Sequence, residues 1–181
     1  MACQNAMGHC SCMRLILLFP LLFLTACATL SEDECRSGDW YAIGKSDGAK
    51  GRQMSFVDQH AKACADYGIA PDRRAWERGR ADGLPLYCTP RRAFDEGRRG
   101  KHLSPVCPAA QLAELERANE RGLRLNRIEQ EIREIEGDIR DINAELARLP
   151  ADDPSRSALI SERSFLRLDL LTLRAERARF L

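Results

Sequence analysis

The stretch LNRIEQEIREIEGDIRDINAELARL, residues 125–149, decides the fold class. Its apolar residues are Leu125, Ile128, Ile132, Ile135, Ile139, Ile142, Leu146 and Leu149, which step alternately by three and four. That spacing is a heptad seam along one side of an α-helix. Glutamate and arginine fill most of the positions between, as a solvated coiled-coil surface requires. A turn follows at 150–154, bracketed by Pro150 and Pro154, where Asp153 is placed to cap a second helix with Pro154 at its first position. The second helix carries Leu159, Leu166, Leu170, Leu173 and Phe180 on one stripe, broadened by Leu168, Leu171, Ala175 and Ala178. The short loop and the matched lengths of the two segments predict an antiparallel hairpin about 38 Å long. Residues 109–124 read as a less regular continuation of the first helix, so the hairpin region runs over 109–181. Its broadened stripe has room for a further helix, from a helical protein partner or from a second copy of the chain.

Upstream of the hairpin the composition changes. Residues 35–108 hold Cys35, Cys64, Cys88 and Cys107, both tryptophans and most of the glycines. A short pattern recurs there. Tyr41, Gly44, Asp47 and Gly48 are matched by Trp76, Gly79, Asp82 and Gly83, and Phe94, Gly97 and Gly100 follow in weaker form. An aromatic followed at three and seven positions by glycine puts all three on one helical face. Glycine inside a helix costs about 1 kcal/mol relative to alanine, so its repeated use calls for close backbone approach, with the ring lying over a neighbouring helix's glycine face. Asp47 and Asp82 are then packing or capping residues, with a ligand or acid role as the alternative; Asp-Gly turns are a third reading. Helices are expected near 39–51, 56–67 and 71–86, with Gly68 as a C-cap and Pro71 in a first turn. Pro85, Pro90, Pro105 and Pro108 break the chain after Gly83. The run RRAFDEGRRGKH at 91–102, with five Lys/Arg against two acids, reads as a looser solvated stretch that could touch acidic headgroups or wall polymer.

The N-terminus points to export. Residues 15–24, LILLFPLLFL, are too short to cross a bilayer, which needs about 20 apolar residues, but they suit the apolar core of a signal peptide. Arg14 precedes them, and Met13 is the natural start of the segment 1–26. Leu24-Thr25-Ala26-Cys27 resembles the lipobox of bacterial lipoproteins. The resemblance implies cleavage before Cys27, a diacylglyceryl group on its thiol, an acylated new N-terminus with palmitate-type chains, and a tether over 27–34 that holds the chain on a membrane. Ala28 stands where an aspartate would favour the inner membrane, so the expected address is the outer membrane, facing the periplasm. In that oxidising compartment four cysteines form two disulfides. Three pairings are possible. The favoured one joins Cys35 to Cys64, tying a helix start to the end of its antiparallel neighbour, and Cys88 to Cys107.

Further residues carry a second resemblance. Trp40, Gly44, Asp47-Gly48, Gly51, His60, Cys64, Gly68, Gly79, Gly83-Leu84, Tyr87-Cys88, Gly97, Gly100 and Val106-Cys107-Pro108 resemble the motif set of domain-of-unknown-function family 2799 over roughly residues 35–108. Lys101-His102-Leu103 stands where the family pattern has an aromatic. The resemblance implies a small bacterial lipoprotein and no activity.

Arg14 is the only charged residue among the first 27, so the 28 Lys/Arg and 27 Asp/Glu of the whole chain leave the mature part electrically balanced. A neutral chain lacks the basic footprint that nucleic acid demands. Neither HExxH, a P-loop nor a dinucleotide glycine motif occurs, and no catalytic residue and no cofactor is assigned. A zinc site from His60, Cys64, His102 and Cys107 lacks any tight CxxC pair, and no metal is assigned. The expectation is therefore an all-α, membrane-anchored periplasmic lipoprotein, a small disulfide-stapled helical domain followed by a coiled-coil hairpin, with a structural or protein-interaction role. The alternatives are a ligand- or metal-binding module using His60, His102, Asp47 and Asp82, and, behind it, an enzyme acting on cell wall.

Overall fold

A computed structural model describes residues 29–180, so the signal segment and Cys27 lie outside the described residues. The fold is all-α. The helices are α1 (Glu32–Ser37), α2 (Trp40–Ala49), α3 (Val57–Ala65), α4 (Arg73–Tyr87), α5 (Pro90–Arg98), α6 (Ala109–Arg148) and α7 (Arg156–Arg177). None of them is long and apolar enough to cross a membrane.

Local chemistry sets the ends, and in several places it moves them from the expected positions. Ser31 and Glu34 form a capping box, with Ser31 accepting from the Glu34 N–H and Glu34 accepting from the Ser31 N–H. That box starts α1, so most of the segment expected as a tether is folded, and Leu30 is buried in the core. Gly38 closes α1 at φ 65°. Asp39 caps α2, and Asp72 caps α4, which leaves Pro71 just outside the helix rather than in its first turn. Gly68, at φ 69°, ends the turn after α3, as expected of a C-cap glycine.

Pro85 does not break α4, which continues to Tyr87. The carbonyl that loses its helical donor belongs to Ala81, which is solvent-exposed, so water can replace the missing N–H. The basic stretch after Pro90 is also more regular than expected. Thr89 caps it, Pro90 occupies the first turn, and α5 runs to Arg98. At the hairpin, Asp153 accepts from the Ser155 N–H, and α7 begins two residues later than the Pro154 start expected.

The glycine pattern acts through backbone. A Cβ on Gly44 would strike the Trp76 carbonyl, and one on Gly48 the Arg80 carbonyl. Reciprocally, Gly79 faces the Tyr41 carbonyl and Gly83 the Lys45 carbonyl. Residue numbers rise together in these pairs, so α2 and α4 cross in parallel with the two repeats in register. Spacings of Gly44 to Gly48 and Gly79 to Gly83 are the small-xxx-small arrangement that lets helices touch main chain to main chain. The rings do not lie over the glycines as expected; the facing carbonyls occupy that space. Asp47-Gly48 and Asp82-Gly83 are helical and make no turn. The same device joins α5 to α6, where Gly97 meets the Asn119 carbonyl and Gly122 meets the Phe94 carbonyl. The start of α6 is therefore a packed element of the domain, not a less regular lead-in.

Two disulfides staple the domain. Cys35–Cys64 and Cys88–Cys107 each have Cα atoms 5.6 Å apart, the pairing favoured from sequence. The first bridge ties the unexpected α1 to α3. It lies in a core with Leu30, Trp40, Val57 and Trp76. In the hairpin, Ile128 and Ile132 of α6 pack with Leu170, flanked by Ile135, Ile139, Leu173 and Phe180. Ion pairs Arg124–Glu176 and Glu136–Arg174 bridge the two antiparallel helices. The outer stripe of α7 is bare: Phe165, Leu168 and Leu171 are 68%, 60% and 62% exposed, and Ala175 and Ala178 are exposed beside them.

Candidate functional site

The parallel register of α2 and α4 carries each aromatic to the other repeat's carboxylate. The Trp76 Nε1–H donates to Asp47 Oδ2 at 2.9 Å, and the Tyr41 hydroxyl donates to Asp82 Oδ2 at 2.7 Å. The repeat of aromatic, glycine and aspartate is thus a reciprocal cross-bond between two crossing helices. One copy is buried and one is exposed: Asp47 is 5% exposed, whereas Tyr41 and Asp82 lie at the surface. Donation to the Asp82 carboxylate raises the Tyr41 phenol above its ordinary value.

The buried copy is extended by α3. His60, 2% exposed, places Nε2 2.7 Å from Asp47 Oδ2 and Nδ1 2.9 Å from Thr29 Oγ1. Asp47 accepts when ionised, so His60 Nε2 donates to it, while Nδ1 pairs with the Thr29 hydroxyl. A chain of bonds then runs from Thr29 through His60 to Asp47 and Trp76. It is roofed by Phe56, whose ring meets His60 edge-on with centroids 5.0 Å apart. Arg80 closes the far side. Its Nε donates to the Arg52 carbonyl at 2.7 Å, and burial pulls its guanidinium below the ordinary value against the opposing charge of Asp47.

Beside this chain is an open cavity of about 380 Å³, lined by Thr29, Ser46, Lys50, Arg52, Phe56 and His60 among others. Thr29, which sequence reasoning passed over, is the residue that brings the N-terminal end of the described chain into the site. No periodicity or motif marks it. Asn119 was missed as well. Its amide donates to the Ala93 and Lys101 carbonyls and its Oδ1 accepts from the Leu103 N–H, which fixes the 99–108 connection against α5 and α6.

Among the residues considered for ligand or metal binding, the structure unites only Asp47 and His60. Asp82 is on the opposite, exposed cross-bond, and His102 lines a different groove. Cys64 and Cys107 are in disulfides and offer no thiolate. Among the described residues no group of three or more His, Cys, Asp or Glu is placed to hold a metal ion.

Residues 39–124 match the family described as "Protein of unknown function (DUF2799)". Through these residues the chain belongs to the DUF2799 family. The DUF2799 match reaches beyond residue 108, to Arg124, and so takes in the first part of α6. The structure gives the reason, since Asn119 and Gly122 are the partners of α5. Both glycine-keyed helix pairs, His60 and the second disulfide thus fall within the DUF2799 segment, while Thr29, Cys35 and the hairpin lie outside it. No curated protein and no solved structure matches the chain.

Proposed function

We propose that the chain is a lipid-anchored protein of the bacterial envelope, cut before Cys27, seated on the periplasmic side of the outer membrane, and built to present a helical hairpin to a helical protein partner. One observation carries this reading: the four cysteines of the folded part close into two bridges, an economy suited to an oxidising compartment. The order of Arg14, the apolar run 15–24 and the lipobox at 24–27 supports the same address. The bare stripe of Phe165, Leu168 and Leu171 supports the partner, since it faces away from α6 on a helix already packed on its other side. The proposal gives the chain no catalytic role. Both ring nitrogens of His60 are engaged, one by Asp47 and one by Thr29, which suits a structural bracket.

Mass spectrometry of the protein extracted from membranes tests the address. The expected N-terminal peptide begins at an acylated Cys27, and the four downstream cysteines are bridged. An uncut chain with free thiols in the soluble cell interior overturns it. Crosslinking in intact cells tests the partner. A protein adduct is expected for the native chain and should be lost when Phe165, Leu168 and Leu171 are replaced by glutamine. A dimer of the chain itself, or no adduct, overturns the helical-partner reading.

A further inference from the structure

Thr29 and Leu30 are part of the folded core, through the bond to His60 and through burial. Only two peptide links separate Cys27 from Thr29, a covalent span of at most about 7 Å. On the lipid-anchor reading just proposed, the face where the chain emerges therefore has no freedom to stand away from the bilayer. That face is cationic. The cavity beside Thr29 shares Lys50, Arg52 and Phe56 with a neighbouring groove of about 430 Å³, which adds Lys101 and His102. Lys50, Arg52 and Lys101 are exposed, and none of them has an acid within 4 Å among the described residues.

The acids nearby are differently committed. Glu96, in the groove, is paired with Arg92 and Arg99, Glu34 belongs to the α1 capping box, and Asp47 is held by His60 and Trp76. A free cationic surface at the exit of a very short anchor matches a layer of phosphate-bearing headgroups. We infer that Lys50, Arg52, Lys101 and His102 form a docking face that rests on the anionic phospholipid headgroups of the membrane holding the anchor. This inference rests on the acylation of Cys27. The role belongs to the two loops that follow α2 and α5, not to the whole basic run 91–102, because Arg92 and Arg99 are occupied by Glu96.

The test is hydrogen–deuterium exchange on the acylated full mature chain in vesicles of phosphatidylcholine alone or with added phosphatidylglycerol. Amides at 50–53 and 101–104 should exchange at least roughly fivefold more slowly on the anionic vesicles, the scale of one basic residue at such a surface. The difference should vanish in Lys50→Glu/Lys101→Glu, whose exposed positions leave the fold intact, and for the native chain at high salt. Acylation is checked by mass in the same sample. Equal exchange on both vesicles with Cys27 acylated overturns the docking face alone. Absence of the acyl mass removes the anchor and the inference with it. The same slowing produced by inorganic phosphate on neutral vesicles identifies a small-anion site and overturns the membrane source.

Discussion

Asp47, 5% exposed, accepts from both the His60 and the Trp76 ring on a single oxygen. Asp47→Ala leaves two buried donors without an acceptor and should cost about 3 kcal/mol in urea unfolding. The equivalent Asp82→Ala, on the exposed copy of the same cross-bond, should cost less than about 1 kcal/mol, because water can take over from the carboxylate. Glycine positions divide in the same way. Gly79→Ala drives a methyl into the Tyr41 carbonyl and should lose about 3 kcal/mol or more. Gly137→Ala, where the only neighbour within 4 Å is an arginine tip, should gain about 0.5–1 kcal/mol by thermal or urea melting. The recurring aromatic, glycine and aspartate were visible in the sequence, and close backbone approach followed from the cost of helical glycine. Which ring meets which carboxylate was not visible, because one sequence holds no record of the register between two helices. Thr29 was hidden for a related reason: its role depends on a contact with His60, 31 positions away.

At the scale of elements, short-range chemistry explains most of the successes and most of the shifts. The heptad of α6 and the inner leucines of α7 were legible because a period of 3.5 survives any tertiary context. The outer leucines of α7 followed a helical period as well, and periodicity alone does not tell a covered face from a bare one. Pro85 misled because a proline near a solvent-facing helix end removes a bond that water can replace. The capping box of α1 yields a pH prediction. Glu34 sits below its ordinary value because it accepts from the Ser31 N–H and hydroxyl. A depressed carboxyl adds stability at neutral pH that disappears as pH falls below the usual glutamate range, near about 4. Protection of the α1 amides, taken relative to the intrinsic exchange rate at each pH, should accordingly fall in acid before that of α4 does. The bridge Cys88–Cys107 closes a short loop, and Cys88→Ser/Cys107→Ser should lower unfolding stability by about 3 kcal/mol.

At the scale of the molecule, α6 belongs to two bodies at once. Its base, as far as Asn126, is locked to α5 by Gly97, Asn119, Gly122 and the Asn126 amide on the Arg98 carbonyl, and further along Ile128 and Ile132 pack with Leu170 of α7. Amide protection measured along α6 should therefore be highest around Leu115–Leu125 and fall steadily towards Arg148, with the 150–155 turn fastest. Uniform protection along the helix would contradict a domain that anchors one end of a thin hairpin. The composition break between 108 and 109 hid this continuity, since cysteine content changes there while backbone packing does not. No break interrupts α6 from the glycine-locked base to the turn, and 40 helical residues make a strut about 60 Å long. Such a strut is a pointer with its pivot in the glycine-locked domain. Tilting the base by about 10° would sweep the tip through about 10 Å over that length, so a slight rocking of the base is magnified into a wide excursion of the 150–154 turn.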